Sequence, residues 1–351
     1  MNLDDFEKFS SLDSEGMLST IVDLPEQLRF AWQQGFHQPL QAIHPVERVV
    51  FAGAGGSAIA AELIAGILSD IITVPILCHH DYDLPAWAFG KETLVVVYSQ
   101  SGNTEETLSA FEQAIQNKCQ VIAFCGGGEL ETLAENFGIT VWQFDHHGQP
   151  GSALGYAFGY LLALFVRIGL VGDLSTEIDL TISSMQKAIE KVGADVPVNR
   201  NPAKRLAGQM VGRQITIYAG GTMAGVARRW KNQLNEIAKT IASVEILPEA
   251  DHNALAGIYF PTPALEKAMM LFLQSSFEHR RNQIRINETR QIMMLEGINT
   301  DLVDLQGSSK LEQLWNGILF GDYVAYYLAM LNDVDPTPIP SITALKEAMA
   351  D

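Results

Sequence analysis

The stretch "LVVVYSQSGNTEETL", residues 94–108, decides how the chain is read. An uninterrupted apolar run from Leu94 to Tyr98 gives way to Ser99, Gln100, Ser101, Asn103 and Thr104, crowded around the single Gly102. So short a continuous run reads as a strand buried on both faces, the kind a parallel sheet uses. Glu105 and Glu106 then read as the first turn of a helix, where carboxylates complement the dipole. A strand-to-helix loop needs one capping hydroxyl; this one offers three. Helix N-termini present free N–H groups and the positive end of the dipole, so they hold phosphate without lysine or arginine. Ser99, Ser101 and Thr104 would add hydroxyl donors, and Gly102 would let the backbone close in. The competing reading makes Thr104 a plain N-cap.

The same grammar recurs on both sides. "RVVFAGAGGSAIAAELIAGIL" (48–68) reads strand, glycine loop, helix, with Gly56 and Ser57 in the loop. "TVPILC" (73–78), "QVIAFCG" (120–126) and "ITVWQF" (139–144) read as further strands, each followed by polar or helical sequence. Alternation of this kind predicts an α/β/α sandwich built on a doubly wound parallel sheet. The pattern then repeats. "ITIYAGGTMAGVARRWKNQLNEIAK" (215–239) echoes the first strand–glycine–hydroxyl–helix unit, and "AMMLFLQSS" (268–276) echoes the strand at 94–98. We therefore expect a helical extension over 1–39, interrupted at Pro25, a first subdomain over 40–195, and a second over 203–351 ending in a helical tail. "GADVPVNRNPAKR" (193–205) reads as the linker.

At 351 residues, 47% apolar and 18% charged, the chain is long enough for two well-cored units. A formal net charge of −18 argues against nucleic acid and anionic membranes as partners. Cys78, Cys119 and Cys125 are too few and too odd in number for a disulfide framework, which points to a reducing, cytoplasmic setting. The N-terminus lacks the basic and apolar regions of a signal peptide. "GSALGYAFGYLLALFVRIGL" (151–170) is uncharged until Arg167, yet it falls short of a membrane span and reads as a buried helix.

"GAGGSA" (53–58) also fits a relaxed dinucleotide fingerprint, with Asp81 as a ribose acceptor. Two hydroxyl-bearing loops at one place suit a single phosphomonoester better, so no nucleotide cofactor is expected. In the second half Glu236 lies in a helical segment, and His252 lies in "LPEADHNALAGI" (247–258). A carboxylate and an imidazole are what proton abstraction beside a carbonyl and opening of a sugar ring require, although a solvated helix face and an idle loop histidine explain each separately. "CHHD" (78–81) and "DHH" (145–147) lack ligand spacing, because adjacent histidines on a strand point to opposite faces; no metal is expected. "HRR" (279–281) reads as a solvated face or a dimer contact, and Cys125 has no neighbouring base to activate it.

Taken in order, "GAGGSAIAAEL", "SQSGNTEETL", "NEIAK", "LPEADHN" and "DPTPIPSITALK" resemble the sugar-isomerase (SIS) fold, and more narrowly the bifunctional phosphoglucose/phosphomannose isomerases. The matching segments span residues 47–346. The resemblance implies two SIS subdomains, a homodimer with shared active sites, and no metal or nucleotide. It implies that Gly56, Ser57, Ser99, Ser101 and Thr104 hold the 6-phosphate of a sugar. Glu236 would move a proton between C1 and C2 through a cis-enediol. His252, reaching in from the partner subunit, and Lys346 would serve ring opening, and Thr337 would leave room for both C2 epimers.

One departure stands out. Where the family carries an arginine that stabilises the enediolate, this chain has Gly151 in "QPGSALGY". Loss of such a group typically costs about 10²–10³ in rate. Either another cation such as Arg213 or Lys346 substitutes, or the protein binds sugar phosphate and turns it over weakly or not at all.

Overall fold

The computed structural model describes residues 2–143 and 150–349, which fall into two compact units. One comprises Asp23–Ser183; the other joins Met1–Val22 to Ser184–Asp351. The expected N-terminal extension is thus shared out at Val22, and the units part inside a helix rather than in the 193–205 linker.

In chain order, α1 (Met17–Val22) belongs to the second unit. The first unit follows with α2 (Leu24–Gly35), β1 (Arg48–Ala52), α3 (Ile59–Ile67), β2 (Ile76–His79) and β3 (Thr93–Ser99). It continues through α4 (Glu105–Gln116), β4 (Gln120–Cys125), α5 (Gly128–Asn136), β5 (Thr140–Gln143) and α6 (Leu154–Arg167). After α7 (Ser175–Val192) the second unit runs α8 (Pro202–Met210), β6 (Gln214–Gly220), α9 (Ala224–Glu236), β7 (Ala242–Leu247) and α10 (Thr262–Leu265). It closes with β8 (Ala268–Gln274), α11 (Arg280–Leu295), β9 (Asn299–Asp304), α12 (Lys310–Leu331) and α13 (Pro340–Met349).

Among the described residues the first sheet has the order β2-β1-β3-β4-β5 and the second β7-β6-β8-β9, every pairing parallel. Each chain path moves outward on one side of its first strand and then jumps to the other. The winding therefore reverses between β1 and β3, and again between β6 and β8, leaving a crevice at the carboxyl ends of those strands. All of β3 is buried, as its continuous apolar run demands. β7 ("ASVEIL") and β9 ("NTDLVD") are strands that the sequence reading did not find. They are partly buried edge strands carrying Glu245, Asp301 and Asp304, so they lack the apolar run that betrays a central strand.

Pro25 sits in the first turn of α2, where its missing N–H costs nothing, and starts that helix instead of breaking it. The apolar segment 151–170 forms α6, whose glycines bring α2 to backbone contact. A Cβ on Gly155 would meet Leu28 N at 2.9 Å, and one on Gly159 would meet Trp32 N at 2.9 Å. Among the described residues no helix is long and apolar enough to cross a membrane. In the second unit the N-terminal residues pack on α12. Phe9 meets the ring of Tyr326 edge-on at 5.9 Å, and Tyr326 Oη donates to Asp13 at 3.1 Å.

Candidate active site

The loops after β1 and β3 meet at the reversal point of the first sheet. A Cβ on Gly53 would lie 2.9 Å from the carbonyl of Tyr98, so only glycine lets the two strand ends close up. Gly56 and Ser57 follow in a tight turn, Gly55–Ser57, that feeds α3, and Ser57 is buried. In the second loop Ser99 is 1% exposed, and its hydroxyl lies 2.9 Å from that of Thr104. Thr104 occupies the N-cap position of α4 in extended geometry, yet its side chain makes no cap hydrogen bond. The plain N-cap reading therefore fails for that hydroxyl: it is turned to Ser99. Ser101 is exposed, and its Oγ accepts from Asn103 N at 3.2 Å.

A third loop braces this one, and the sequence reading passed over it. A Cβ on Gly102 would fall 1.8 Å from the carbonyl of Gly127, and one on Gly128 would fall 2.4 Å from that of Ser101. Leu130 N donates to Gly102 O (2.9 Å), Gly126 N to Gln100 O (3.0 Å), and Glu129 N to Asn103 Oδ1 (3.0 Å). The run "GGG" after Cys125 was the signal: three glycines there allow two loops to nest backbone against backbone. On the other flank His80 Nδ1 meets Gly53 O at 3.0 Å and its Nε2 lies 3.0 Å from Glu62, while His79 Nε2 meets Asp83 O at 2.6 Å. Both histidines are thus spent on structure.

Gly151, standing where the resemblance puts an arginine, is buried in a turn, Pro150–Ala153, that packs beside the Gly55–Ser57 turn. Gln27 holds that turn, donating to Ser152 O at 3.0 Å and accepting from Gly155 N at 3.3 Å. Gly151, Ser152, Ala153 and the Gln27 amide make up the place among the described residues.

The second unit has a matching cradle at the reversal point of its own sheet, but the chain fills it. A Cβ on Gly221 would lie 2.4 Å from Glu278 Oε1, so a carboxylate rests where the backbone opens. Glu278 Oε1 accepts from His279 N at 2.8 Å and from Asn282 Nδ2 at 3.3 Å. Among the described residues, no carboxylate is seen at the corresponding Gly55 of the first unit, where an added Cβ would meet nothing within 4 Å.

Glu236 is the last residue of α9 and is half-buried. Burial raises its carboxyl above the ordinary range, against the lowering fields of Arg229, Lys231 and Lys239. Behind it on the same helix face, Arg229 (2% exposed) forms a bidentate pair with Asp322 of α12, Nε–Oδ1 3.1 Å and Nη2–Oδ2 2.7 Å. Burial raises the Asp322 carboxyl; Arg229 and a hydrogen bond from Gln233 pull it back. Positions 229, 233 and 236 recur at helical spacing, so a single stripe of α9 carries the ion pair, its amide ligand and the candidate base. The sequence reading singled out Glu236 alone, since nothing local marks Asp322 as its distant support.

Thr337 lies near Glu236. Lys239 Nζ donates to the carbonyl of Glu236 and, at 3.2 Å, to that of Pro336, the residue before it. Thr337 is 3% exposed, and its hydroxyl has no hydrogen-bond partner among the described residues. Lys346 follows on α13, a helix with no buried residue. Arg213 is bound to Gln209 O (3.0 Å) at the start of β6.

His252 is not with Glu236. Glu236 precedes β7 and His252 follows it, and β7 alone spans about 16 Å at 3.3 Å per residue. Closeness in sequence here means opposite ends of the sheet. The loop around His252 is held firmly: Asp251 accepts from Arg285 (2.9 Å) and Thr289 (2.8 Å), and Asn253 donates to Glu249 (2.9 Å). The imidazole itself is exposed.

Elsewhere, burial pushes the Cys125 thiol up, which suits an inert core residue. Arg280 and Arg281 are exposed at the start of α11, whose N-cap is His279. Among the described residues no group of histidine, cysteine or carboxylate side chains could hold a metal; Asp145, His146 and His147 lie outside them.

Two family models match the chain: a SIS domain over residues 42–141 and a bacterial phospho-glucose isomerase C-terminal SIS domain over 199–349. A bifunctional phosphoglucose/phosphomannose isomerase from Caldicellulosiruptor bescii is 35% identical, covering 95% of this chain and 99% of its own. One of the same description from Thermoplasma volcanium is 32% identical, covering 94% and 98%. Among solved structures, a hypothetical protein from Thermus thermophilus aligns over 96% of this chain and 90% of its own, at a TM-score of 0.74 and 16% identity. A glucose-6-phosphate isomerase like protein from the same organism aligns over 97% and 98%, at 0.65 and 18%. Both share the fold. Matched along nearly its whole length by relatives of one description, the chain belongs to the bifunctional phosphoglucose/phosphomannose isomerase family.

Proposed function

We propose that the protein is an aldose–ketose isomerase that interconverts glucose 6-phosphate or mannose 6-phosphate with fructose 6-phosphate. The observation that carries this is the placement of Glu236, half-buried at the end of α9 and backed by a buried Arg229–Asp322 pair, a setting that raises its carboxyl. A base that works near neutral pH gains from a pKa lifted toward the working range. Glu236 takes the proton from C2 of the aldose and returns it to C1, through a cis-enediol whose charge resides on oxygen. The phosphate is seated by Gly56, Ser57, Ser99, Ser101 and Thr104, neutral donors suited to a chain of formal net charge −18. Thr337 sits in the carbohydrate's neighbourhood and admits either C2 epimer. No metal or nucleotide enters the scheme.

His252 and Lys346 serve ring opening in this reading, His252 from a second subunit. The opposite-end placement of Glu236 and His252 supports that division, because one subunit's second sheet cannot bring both to one substrate. The working enzyme is then a homodimer. A cysteine count of three, too few and too odd for a disulfide framework, is in keeping with a cytoplasmic site of action.

The test is a coupled assay with each aldose phosphate: conversion to fructose 6-phosphate supports the proposal, and no turnover by intact dimer defeats it. A second reading, binding without turnover, is motivated by buried Gly151 where a cation is expected. Thermal stabilisation by fructose 6-phosphate with no isomerisation would favour that reading.

A further inference from the structure

Just past Glu236 the chain adopts an uncommon backbone. Lys239 has φ +54°, the left-handed region that glycine or asparagine normally fills at a helix end. Nothing in a lysine side chain favours that geometry, so the surroundings must hold it. They do so from several directions. Thr240 N donates to Leu234 O at 3.0 Å, and Ala242 N to Asn235 Oδ1 at 3.0 Å. From the end of α12, Asn332 Nδ2 donates to Ala238 O and to Thr240 Oγ1, each at 3.0 Å.

The left-handed turn folds the Lys239 side chain back over the end of α9. Its ammonium donates to the carbonyl of Glu236, one of the unsatisfied acceptors at a helix C-terminus, and to Pro336 O at 3.2 Å. Much of the stem is in solvent, while the charged head sits against two carbonyls, with Asp335 and Glu236 as its anionic neighbours. Burial of that head lowers its pKa, and the two carboxylates oppose the shift. Among the cations whose field reaches Glu236, Arg229 is already neutralised by Asp322, and Lys231 makes no comparable bridge among the described residues. The segment Lys239 grips continues directly into Thr337, buried and with an unpartnered hydroxyl.

We propose that Lys239 is a positioning residue for the isomerisation: its ammonium ties the main chain of the base Glu236 to the Pro336–Thr337 segment, fixing both relative to the sugar. The inference rests on the isomerase reading above. It gives the strained lysine a purpose that a plain helix cap, for which glycine would serve better, does not. The bridge also keeps a positive charge beside the carboxylate, so the depth to which Glu236 is pushed up in pKa depends on it.

Lys239→Asn separates this role from a structural one, since asparagine tolerates the left-handed turn but carries no charge. The variant should melt at the wild-type temperature or slightly above it. Its kcat should fall by about tenfold or more, as expected when a base is misplaced by a fraction of an ångström, while KM moves far less. The acid limb of kcat/KM should shift to higher pH, and Lys239→Arg should recover part of the rate. Unchanged kcat and pH profile in Lys239→Asn would overturn the proposal. NMR titration of isotopically labelled Glu236 in both proteins keeps the two ideas apart. If the wild type fails to isomerise, the functional reading falls. If Glu236 titrates alike with and without Lys239 and kcat is unchanged as well, the positioning role falls.

Discussion

The hydroxyls of Ser99 and Thr104 lie 2.9 Å apart across the mouth of the loop joining β3 to α4, and Thr104 leaves the helix end uncapped by its side chain. A helix that gives up its cap bond loses about 1 kcal/mol. Here the donors that would have been satisfied stay directed at the loop.

The first prediction follows from that choice. Thr104→Ala and Ser99→Ala should each weaken binding of fructose 6-phosphate by roughly three- to tenfold, the worth of one hydrogen bond. Thr104→Ala should leave the melting temperature almost unchanged, because no cap bond is lost. Calorimetric titration and thermal melts check this. Lost stability with unchanged affinity would restore the N-cap reading.

Gly102 and Gly127 are fitted to each other. A methyl at Gly102 would lie 1.8 Å from a carbonyl oxygen, at a residue with φ +70°. Gly102→Ala should therefore cost about 2–4 kcal/mol of stability, from overpacking and backbone strain together. Denaturant unfolding measures it, and a cost within experimental error would mean that the loops are not nested.

Glu236→Gln should lower turnover by at least about 10²-fold, the usual contribution of a general base, while phosphate-ligand affinity stays within a small factor. The same change predicts a stability effect of definite sign. Because the folded carboxyl is raised, its charged form is penalised above the folded pKa, and the penalty disappears as pH falls below the unfolded value near 4. The glutamine variant should thus melt at or above the wild-type temperature at neutral pH, and the difference should close in acid. A variant less stable than wild type at pH 7 would contradict the direction assigned to this carboxyl.

Much of this was legible in the sequence. The first sheet's central strands announce themselves through runs such as Leu94–Tyr98, and the hydroxyls of Ser99, Ser101 and Thr104 stand next to one another in the chain. What could not be read lies at long range or without an apolar signature. Edge strands β7 and β9 carry acids where a central strand would carry valine. Asp322 is 93 residues from the arginine it neutralises. Lys239 looks like any helix-end lysine until its positive φ is seen. His252 misled in the opposite direction, since sixteen positions of sequence separate it from Glu236 and a whole strand runs between them.

That strand permits a mixing test of the proposed homodimer. Glu236→Gln and His252→Ala homodimers should each be nearly inactive. Reassembled one to one, they should regain about a quarter of wild-type activity, because half the dimers are mixed and each mixed dimer has one intact site under two-fold symmetry. No recovery from a mixture shown to exchange subunits would place His252 and Glu236 in the same subunit's site, or remove His252 from the reaction.

On the proposed function, Glu236 moves a proton at carbon two of a phosphorylated sugar held by neutral donors. Incorporation of solvent deuterium at C2 of glucose 6-phosphate and mannose 6-phosphate, followed by NMR, tests it most directly. Label is expected at C2 of at least one epimer with wild type and at neither with Glu236→Gln. Tight binding of either sugar phosphate with neither label nor conversion to fructose 6-phosphate by the wild-type enzyme would contradict it.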